Sequence, residues 1–412
     1  MTDLSFDARL DRLAEVAVGV GLGLTPGQEL VVTAPIEALD LTRRIARAAY
    51  RAGASVVTPL FADDEQTLAR FRDGGPATFD AAPAWLYDGM AAAFRGGAAR
   101  LAITGDNPSL LSGQDAALVA RVNRARAKAY SPALKLISDF AINWAIVAAA
   151  TPAWARQVFP ALAPQEATAQ LWDAIFKASR VDGPDPVGAW RAHNAALAAR
   201  TGALNARRFH GLRFVAPGTD LTIGLADGHS WEGGAATARN GIVCNANIPT
   251  EEVFTTPHRA RAHGYVRATK PLSYMGALIE DIAVRFVDGA IVEAHARAGA
   301  DVLAKALDTD VGARRLGEVA LVPYSSPISQ SGLLFYNTLF DENAASHIAL
   351  GQAYSKCFVA GDTLSDAQLA AQGANRSLIH VDWMIGSAQT DVDGLDEQGR
   401  ATPVMRRGEF VL

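Results

Sequence analysis

The stretch FDARLDRLAEVAVGVGLGLTPGQELVVT, residues 6–33, sets the pattern that decides the fold of the N-terminal half. Its first part repeats apolar side chains at helical spacing, at Phe6, Leu10, Leu13, Val16 and Val20. A turn at Pro26-Gly27 follows, and ELVVT at 29–33 predicts a short buried strand. A helix that leads into a buried strand is the repeating unit of an α/β layer.

The same unit recurs further along the chain. A helical pattern at Leu41–Arg51 precedes the strand-like GASVVTPLF (53–61), and a further helix precedes RLAITGD (100–106). Another helix at Leu118–Tyr130 precedes INWAIVAAA (142–150). Short apolar strands that alternate with helices predict a largely parallel sheet in this part of the chain.

Composition and charge exclude several classes of protein. A net charge of -5 and a pI near 5.9 provide no basic face for nucleic acid. The segment GVGLGL (19–24) precedes the first strand instead of following it, so we interpret it as a helix end and turn and not as a dinucleotide-binding loop. The N-terminus has no basic segment, no apolar run has membrane length, and Cys244 and Cys357 are too few for a disulfide framework. We therefore expect a cytoplasmic protein with no nucleic-acid or membrane partner.

The pattern changes after an alanine-rich helical tract that ends near residue 203. Beyond it, segments such as TDLTIGLADG (219–228) and DIAVRFVDGAIVEAHA (281–296) predict short strands joined by Gly and Asp turns. A chain of 412 residues is long enough for two domains. We predict an α/β fold with an N-terminal α/β domain (1–205) on a largely parallel sheet. A C-terminal α+β domain (206–412) is richer in antiparallel strands and contains the candidate site residues described next.

Four elements of the C-terminal half contain residues suited to metal chemistry, and two of them are carboxylate motifs. In NIPTEEVFTTP (247–257), Glu251 and Glu252 are adjacent, so one can bind a metal while the other faces a substrate. A solvated pair at a strand start is the alternative interpretation. Glu318 comes immediately before the apolar strand VALV (319–322) and is uninformative by itself.

The other two elements contain histidine. In DENAASHIALGQAYS (341–355), His347 and Tyr354 share a face if the stretch is helical, but a loop is equally compatible, and a structural histidine is the alternative to a ligand. In SLIHVDWMIGS (377–387), His380 and Asp382 lie two apart in an apolar strand and therefore project from the same face. Burying both costs several kcal/mol unless a divalent cation or a hydrogen-bond network compensates.

Together, the four elements supply two histidines and several carboxylates. This mixed nitrogen and oxygen set suits zinc, cobalt or manganese and differs from a thiolate zinc site. Five ligands suffice for two divalent ions if one carboxylate bridges, and paired ions of this kind activate water for hydrolysis.

The order of these motifs resembles the thermophilic-type metallo-aminopeptidases, the aminopeptidase T and aminopeptidase S group. The resemblance rests on EEVFT (251–255), Gly317-Glu318 before an apolar strand, SHIALGQAY (346–354) and IHVDWMIG (379–386), and it extends over essentially the whole chain. It implies a dinuclear site whose ligands are Glu252, Glu318, His347, His380 and Asp382, with Glu318 bridging. It further implies that Tyr354 polarises the carbonyl or stabilises the oxyanion, and analogy with other two-metal peptidases suggests Glu251 as general base.

The resemblance also implies a homodimer with an enclosed cavity that removes N-terminal residues from short peptides. An exopeptidase must bind the free α-amino group of its substrate, and Glu251, Asp341 and Glu342 are candidates for this role. Apolar residues near the motifs are candidates for a side-chain pocket or for ordinary core positions, namely Phe254, Phe335, Tyr336 and Trp383.

Two alternatives stay open at this point. A two-metal amidohydrolase or phosphoesterase shares the metal chemistry, and three arginines near the motifs would supply an anion clamp, namely Arg314, Arg315 and Arg376. A non-catalytic α/β binding protein is the other alternative. The presence of all five ligand residues argues against it.

Overall fold

The computed structural model describes residues 4–274 and 277–412. Its helices are α1 Phe6–Val16, α2 Leu39–Arg51, α3 Asp64–Asp73, α4 Ala84–Arg95, α5 Ala116–Ser138, α6 Pro152–Val158, α7 Pro164–Ala178, α8 Pro186–Arg207, α9 Ala300–Leu307, α10 Pro327–Ser331, α11 Thr338–Asp341 and α12 Asp366–Ala371. Its strands are β1 Leu30–Pro35, β2 Val57–Ala62, β3 Ala99–Thr104, β4 Trp144–Ala148, β5 Gly211–Ala216, β6 Thr219–Leu225, β7 Ala236–Thr237, β8 Val243–Cys244, β9 Val253–Thr255, β10 Pro257–Arg267, β11 Leu272–Tyr274, β12 Ala277–Ile279, β13 Ala283–Val287, β14 Ala290–His295, β15 Leu316–Leu321, β16 His347–Gly351, β17 His380–Met384, β18 Asp391–Leu395, β19 Ala401–Arg406 and β20 Glu409–Phe410. Within these residues, no helix has both the length and the apolar character needed to span a bilayer.

The chain divides into two compact units, which are Met1–Ala192 with Ala235–Pro249 and His193–Gly234 with Thr250–Leu412. This division differs from the boundary expected at 205/206. The first break falls inside α8, and the segment 235–249 returns to the first unit, where Asn247 forms a parallel bridge with Ile146. The division into an N-terminal domain 1–205 and a C-terminal domain 206–412 stays a prediction.

The first unit is built on a parallel sheet in the order β2-β1-β3-β4, which confirms the predicted architecture. The central strand β1 is almost wholly buried, whereas the edge strand β2 is largely exposed. Helix α1 continues as a π-helix over Ala17–Leu22 and ends at Gly23, whose φ is 57°. A side chain at this position would also collide with the Val243 carbonyl, so glycine is required there. The glycine-rich segment is a helix end, as predicted.

The second unit contains two larger antiparallel sheets. One has the strand order β14-β13-β10-β6-β5-β18-β19-β20 and the other β17-β16-β15-β9. Apolar side chains from both sheets join one core, which includes Phe214 and Phe286 from the first sheet and Ile348 and Trp383 from the second. The predicted enrichment of antiparallel strands in the C-terminal part is confirmed.

Two local predictions in this unit were wrong. The stretch 341–355 is neither one helix nor a loop, because a short turn over Glu342–Ala344 leads into β16, which begins at His347. Glu318 does not precede its strand but lies in the middle of β15, where it is 5 % exposed. A carboxylate at such a position requires a partner or a cation.

Candidate metal centre

The predicted ligands lie on one face of the sheet β17-β16-β15-β9. Cross-strand pairing places Glu318 opposite Ala349 and Ala349 opposite Asp382, and it places Gly351 opposite His380. Directly paired residues project from the same face, so the polar side chains alternate there with alanine and glycine. These small residues leave room above the sheet for the longer carboxylate and imidazole groups.

The other face of the same sheet is apolar. Its side chains belong to the core of the unit, namely Val253, Val319, Leu321, Ile348, Leu350, Val381 and Trp383. The period of two along each strand therefore separates a core face from a site face. Trp383 faces the core, which removes it from the candidates for a substrate pocket.

Four short contacts join the five predicted ligands into one cluster. Nε2 of His347 lies 3.2 Å from Oε2 of Glu252 and 3.6 Å from Oε1 of Glu318. Nε2 of His380 lies 3.8 Å from Oε2 of Glu318 and 3.3 Å from Oδ1 of Asp382. The convergence of His380 and Asp382 agrees with their spacing of two in a strand.

The backbone fixes the orientation of both imidazoles. Nδ1 of His347 lies 3.1 Å from the Ala345 carbonyl oxygen, and Nδ1 of His380 lies 2.8 Å from that of Gln352. A carbonyl oxygen only accepts, so each Nδ1 carries a hydrogen, and in the neutral imidazole the Nε2 lone pair faces carboxylate oxygens. Only a proton or a cation between them makes this arrangement favourable.

The donor set fits a divalent cation. One ligand atom each from Glu252, Glu318 and His347 lies within 4.8 Å of the others, and all three residues are buried. Apart from its contact with Nε2 of His347, Oε2 of Glu252 is buried without a hydrogen-bond partner in the described chain. Imidazole Nδ1–H groups bound to backbone carbonyls are also the usual support of histidine ligands.

The electrostatics of the cluster agree with this fit. Burial alone would lower the pKa of His347, but the carboxylates of Glu252 and Glu318 outweigh it and raise the pKa well above its usual value. His380 is also affected by burial, yet Asp382 raises its pKa to about 9. The cluster therefore attracts positive charge strongly, whether as protons or as metal ions.

Tyr354 and Glu342 flank the cluster. The Tyr354 ring packs on the His380 ring with centroids 4.7 Å apart, and burial together with the charge of Glu318 raises the pKa of the phenol, which stays protonated at neutral pH. Glu342 is half-buried, and burial of its carboxyl together with the charges of Glu252 and Asp382 raises its pKa well above the usual range. Both residues therefore lie beside the cluster, and neither is one of its five predicted ligands.

Glu251 has different neighbours from Glu252. It is 2 % exposed, and its Oε2 lies 3.8 Å from Nε2 of His193, which hydrogen-bonds the Thr250 carbonyl at 2.7 Å. The Glu251 N–H donates to Oδ1 of Asn343 at 2.7 Å. The two adjacent carboxylates thus point to different groups, as expected, and a role for Glu251 as general base stays a prediction. Sequence reasoning missed His193 because it lies far upstream, in α8.

Other candidates from the sequence serve the fold. Asp341 accepts the N–H groups of Phe335 and Asn337 at 2.7 and 2.9 Å, so it stabilises a turn and is not available to a substrate amine. Phe335 is fully buried and stacks on Phe340. Neither residue therefore belongs among the candidates for substrate contact.

The three arginines do not form an anion clamp. Arg314 pairs with Asp308 at 2.7 Å, and Arg376 pairs with Asp366 at 2.9 Å. Arg315 donates to two backbone carbonyl oxygens. These contacts leave the phosphoesterase alternative without its expected phosphate-binding group.

The fold and this donor set define a metal-dependent hydrolase. The model of the thermophilic metalloprotease (M29) family matches residues 6–410. Aminopeptidase T from Thermus thermophilus is 54 % identical over 408 residues, covering 99 % of this chain and 100 % of that protein. Aminopeptidase 2 from Geobacillus stearothermophilus is 45 % identical, covering 99 % and 98 %. The solved structure of wild-type AmpT from Thermus thermophilus superposes with a TM-score of 0.94 at 53 % identity, covering 99 % of this chain and 100 % of that one.

The chain therefore belongs to the thermophilic metalloprotease (M29) family, and it is a metal-dependent aminopeptidase that hydrolyses peptides. The predicted fold class, family resemblance and enzyme class are confirmed. The alternatives of a phosphoesterase and of a non-catalytic binding protein find no support in these relatives.

Proposed function

We propose that the cluster holds two divalent metal ions and that the enzyme uses them to remove N-terminal residues from short peptides. The ligands in this proposal are Glu252, Glu318, His347, His380 and Asp382. The observation that carries it is the position of Glu318, whose Oε1 lies 3.6 Å from Nε2 of His347 and whose Oε2 lies 3.8 Å from Nε2 of His380. A carboxylate that offers one oxygen to each imidazole is suited to bridge two ions.

This geometry divides the remaining ligands into two groups. Glu252 contacts His347, and Asp382 contacts His380. We assign the first pair to one ion and the second pair to the other. The nitrogen and oxygen donors suit zinc, cobalt or manganese.

Bound ions of this kind polarise the scissile carbonyl and lower the pKa of water. The residues of the chain orient the substrate and transfer protons. Tyr354 donates a hydrogen bond to the oxyanion, and Glu251 takes a proton from the attacking water and returns it to the leaving amine. Glu342 is our candidate for binding the substrate's α-ammonium group, since Asp341 is occupied by backbone N–H groups.

The test compares chelator-stripped protein with protein reloaded with zinc, cobalt or manganese, on aminoacyl-p-nitroanilides and short peptides. We expect no cleavage after stripping, restoration on reloading, and no cleavage of the same peptides after N-acetylation. Cleavage that survives complete metal removal would contradict the metal assignment, and cleavage of acetylated peptides would contradict the requirement for a free amino group.

We also propose a homodimer in a reducing cytoplasm. Both cysteines are buried free thiols, which is the usual state of cysteine in that compartment. Val311 and Leu378 are 89 % and 86 % exposed. They lie close together, because the Leu378 N–H donates to Asp310, the residue before Val311. A second copy of the chain would cover this apolar surface. Light scattering of the wild type and of Leu378→Asp tests the dimer, which the substitution is expected to weaken.

A further inference from the structure

The open side of the metal centre lies at Tyr354. Side-chain exposure rises across the centre, from 1 % at His347 to 11 % at Asp382 and 20 % at His380. Tyr354, which packs on His380, is 42 % exposed. A peptide therefore reaches the ligands past Tyr354, and residues around this ring contact the parts of the substrate next to the scissile bond.

A lysine ammonium stands at this opening. Lys356 lies in the short turn Ser355–Cys357 that follows Tyr354, and its Nζ is 5.7 Å from the Tyr354 ring centroid and 4.6 Å from that of Phe254. Phe254 pairs with Ala320, which pairs in turn with His347, so the Phe254 ring belongs to the site face of the sheet. The two rings hold the ammonium beside the metal centre.

The Lys356 ammonium lies over two aromatic rings and forms no salt bridge with the described part of the chain. Among the described residues, its recorded contacts are the two rings, and no ion pair within 4.0 Å or hydrogen bond joins it to the protein. The nearby Glu232 carboxylate feels its charge, which partly offsets the rise in the pKa of Glu232 that burial causes. A cation over an exposed ring is bound more weakly than one in a charge-assisted hydrogen bond to a carboxylate. An anionic group on a substrate can therefore recruit this lysine at little cost.

The distribution of charge determines which end of a substrate meets Lys356. The α-ammonium is attracted to the carboxylates of the centre, among which Glu342 is its proposed partner, and it is repelled by Lys356. The residue after the scissile bond is thereby directed to the lysine. In a dipeptide this residue carries the C-terminal carboxylate, and each further residue moves that carboxylate about 3.3–3.6 Å away.

We propose that Lys356 binds the C-terminal carboxylate of the substrate and makes the enzyme prefer dipeptides. The proposal rests on the metal centre described above as the site of cleavage. Lys356 adds recognition of the second charged end of the substrate, so the site matches a zwitterion with both termini free.

The experiment measures kcat/KM of the metal-loaded full chain on Leu-Gly and on Leu-Gly amide, which differ only in the carboxylate. Wild type is expected to favour the free acid by about tenfold or more, the effect of one hydrogen bond to a charged group. Lys356→Met should bring this ratio close to one, mainly through KM on the free acid, and Lys356→Arg should retain most of it. Lys305→Met is the matched control, because this lysine in α9 is 81 % exposed and its partner within ion-pair distance is Asp301.

Three outcomes overturn the proposal: a wild-type ratio near one, a ratio unchanged in Lys356→Met, or an equal loss on both substrates in that variant. Leucine p-nitroanilide, which has no carboxylate, separates this test from that of the metal centre. If the enzyme still cleaves leucine p-nitroanilide after chelation, the metal centre is refuted. Chelator-sensitive cleavage with an unchanged acid-to-amide ratio would refute the role of Lys356 alone.

Discussion

Each imidazole of the metal centre has one nitrogen fixed by the backbone and the other directed at carboxylates. Nδ1 of His347 donates to Ala345 and Nδ1 of His380 donates to Gln352, so neither ring can turn without losing a hydrogen bond. Preorganised rings lose little freedom when they bind a cation, which favours tight binding. The same carboxylates stabilise protons on both rings, so metal ions and protons compete for the site.

This competition predicts proton release on metal binding. The carboxylates raise the pKa of His347 well above its usual value and that of His380 to about 9, so we expect both rings of the stripped protein to carry a second proton at neutral pH. Zinc binding at pH 7.5 should therefore release about two protons per chain from the rings. The release from His380 should decline as pH rises through about 9, because that ring is then already neutral. Calorimetry in buffers of different ionisation enthalpy measures the number, and a value near zero at pH 7.5 would contradict the assignment.

Tyr354 should affect turnover and not metal content. Its ring contacts that of His380, and Tyr354→Phe would remove only the hydroxyl that we propose as a donor to the oxyanion. We expect kcat to fall by about 100- to 1000-fold, with the full metal complement retained. Steady-state kinetics and elemental analysis of the same preparation check this. Loss of metal from the variant would mean that the phenol supports the ligands.

At the scale of single residues, the sequence predicts those contacts that depend on local spacing. His380 and Asp382 meet because strand residues two apart share a face, and this could be predicted from the sequence alone. The approach of His193 to Glu251 could not, because it joins a helix to a distant segment and has no local pattern. Likewise, nothing near Lys356 in the sequence indicates that its ammonium lies over Phe254.

At the scale of elements, the site depends on a sheet with two different faces. Strands β15, β16 and β17 each alternate a core residue with a site residue or a small residue. The sequence pattern led to a strand start after Glu318, because a carboxylate between apolar residues usually marks a strand end. Glu318 instead occupies the middle of β15, since the facing histidines provide the compensation that burial requires.

Small residues on the site face should be needed for metal binding. Ala349 lies between Glu318 and Asp382 and is fully buried, so Ala349→Val adds bulk where the ligand side chains lie. We expect metal affinity to weaken by about tenfold or more. Ile348→Val, on the core face of the same strand, is the control, and it should lose about 1 kcal/mol of stability while keeping its metal. Equal metal affinity in both variants would contradict the account of the two faces.

For the whole molecule, the sequence predicts the architecture better than the boundaries. Alternating helices and strands indicate the parallel sheet of the first unit, and turn-rich strands indicate the antiparallel sheets of the second. The return of segment 235–249 to the first unit could not be predicted, because it depends on tertiary contacts such as the bridge between Ile146 and Asn247. Helix α8 crosses the break between units, so its alanine-rich pattern contains no boundary signal.

The central claim is that one carboxylate joins two metal ions, and metal content per chain tests it most directly. Stripped protein reloaded with zinc and freed of excess metal should contain two ions per wild-type chain by elemental analysis. Glu318→Gln should retain fewer than two ions, and its activity should fall by more than about 100-fold. This loss is larger than the one expected when a residue that only hydrogen-bonds a ligand is changed. Glu293→Gln, which changes an exposed carboxylate paired with Arg285, should match wild type. A single ion in wild type, or two tightly held ions in Glu318→Gln, would contradict the account.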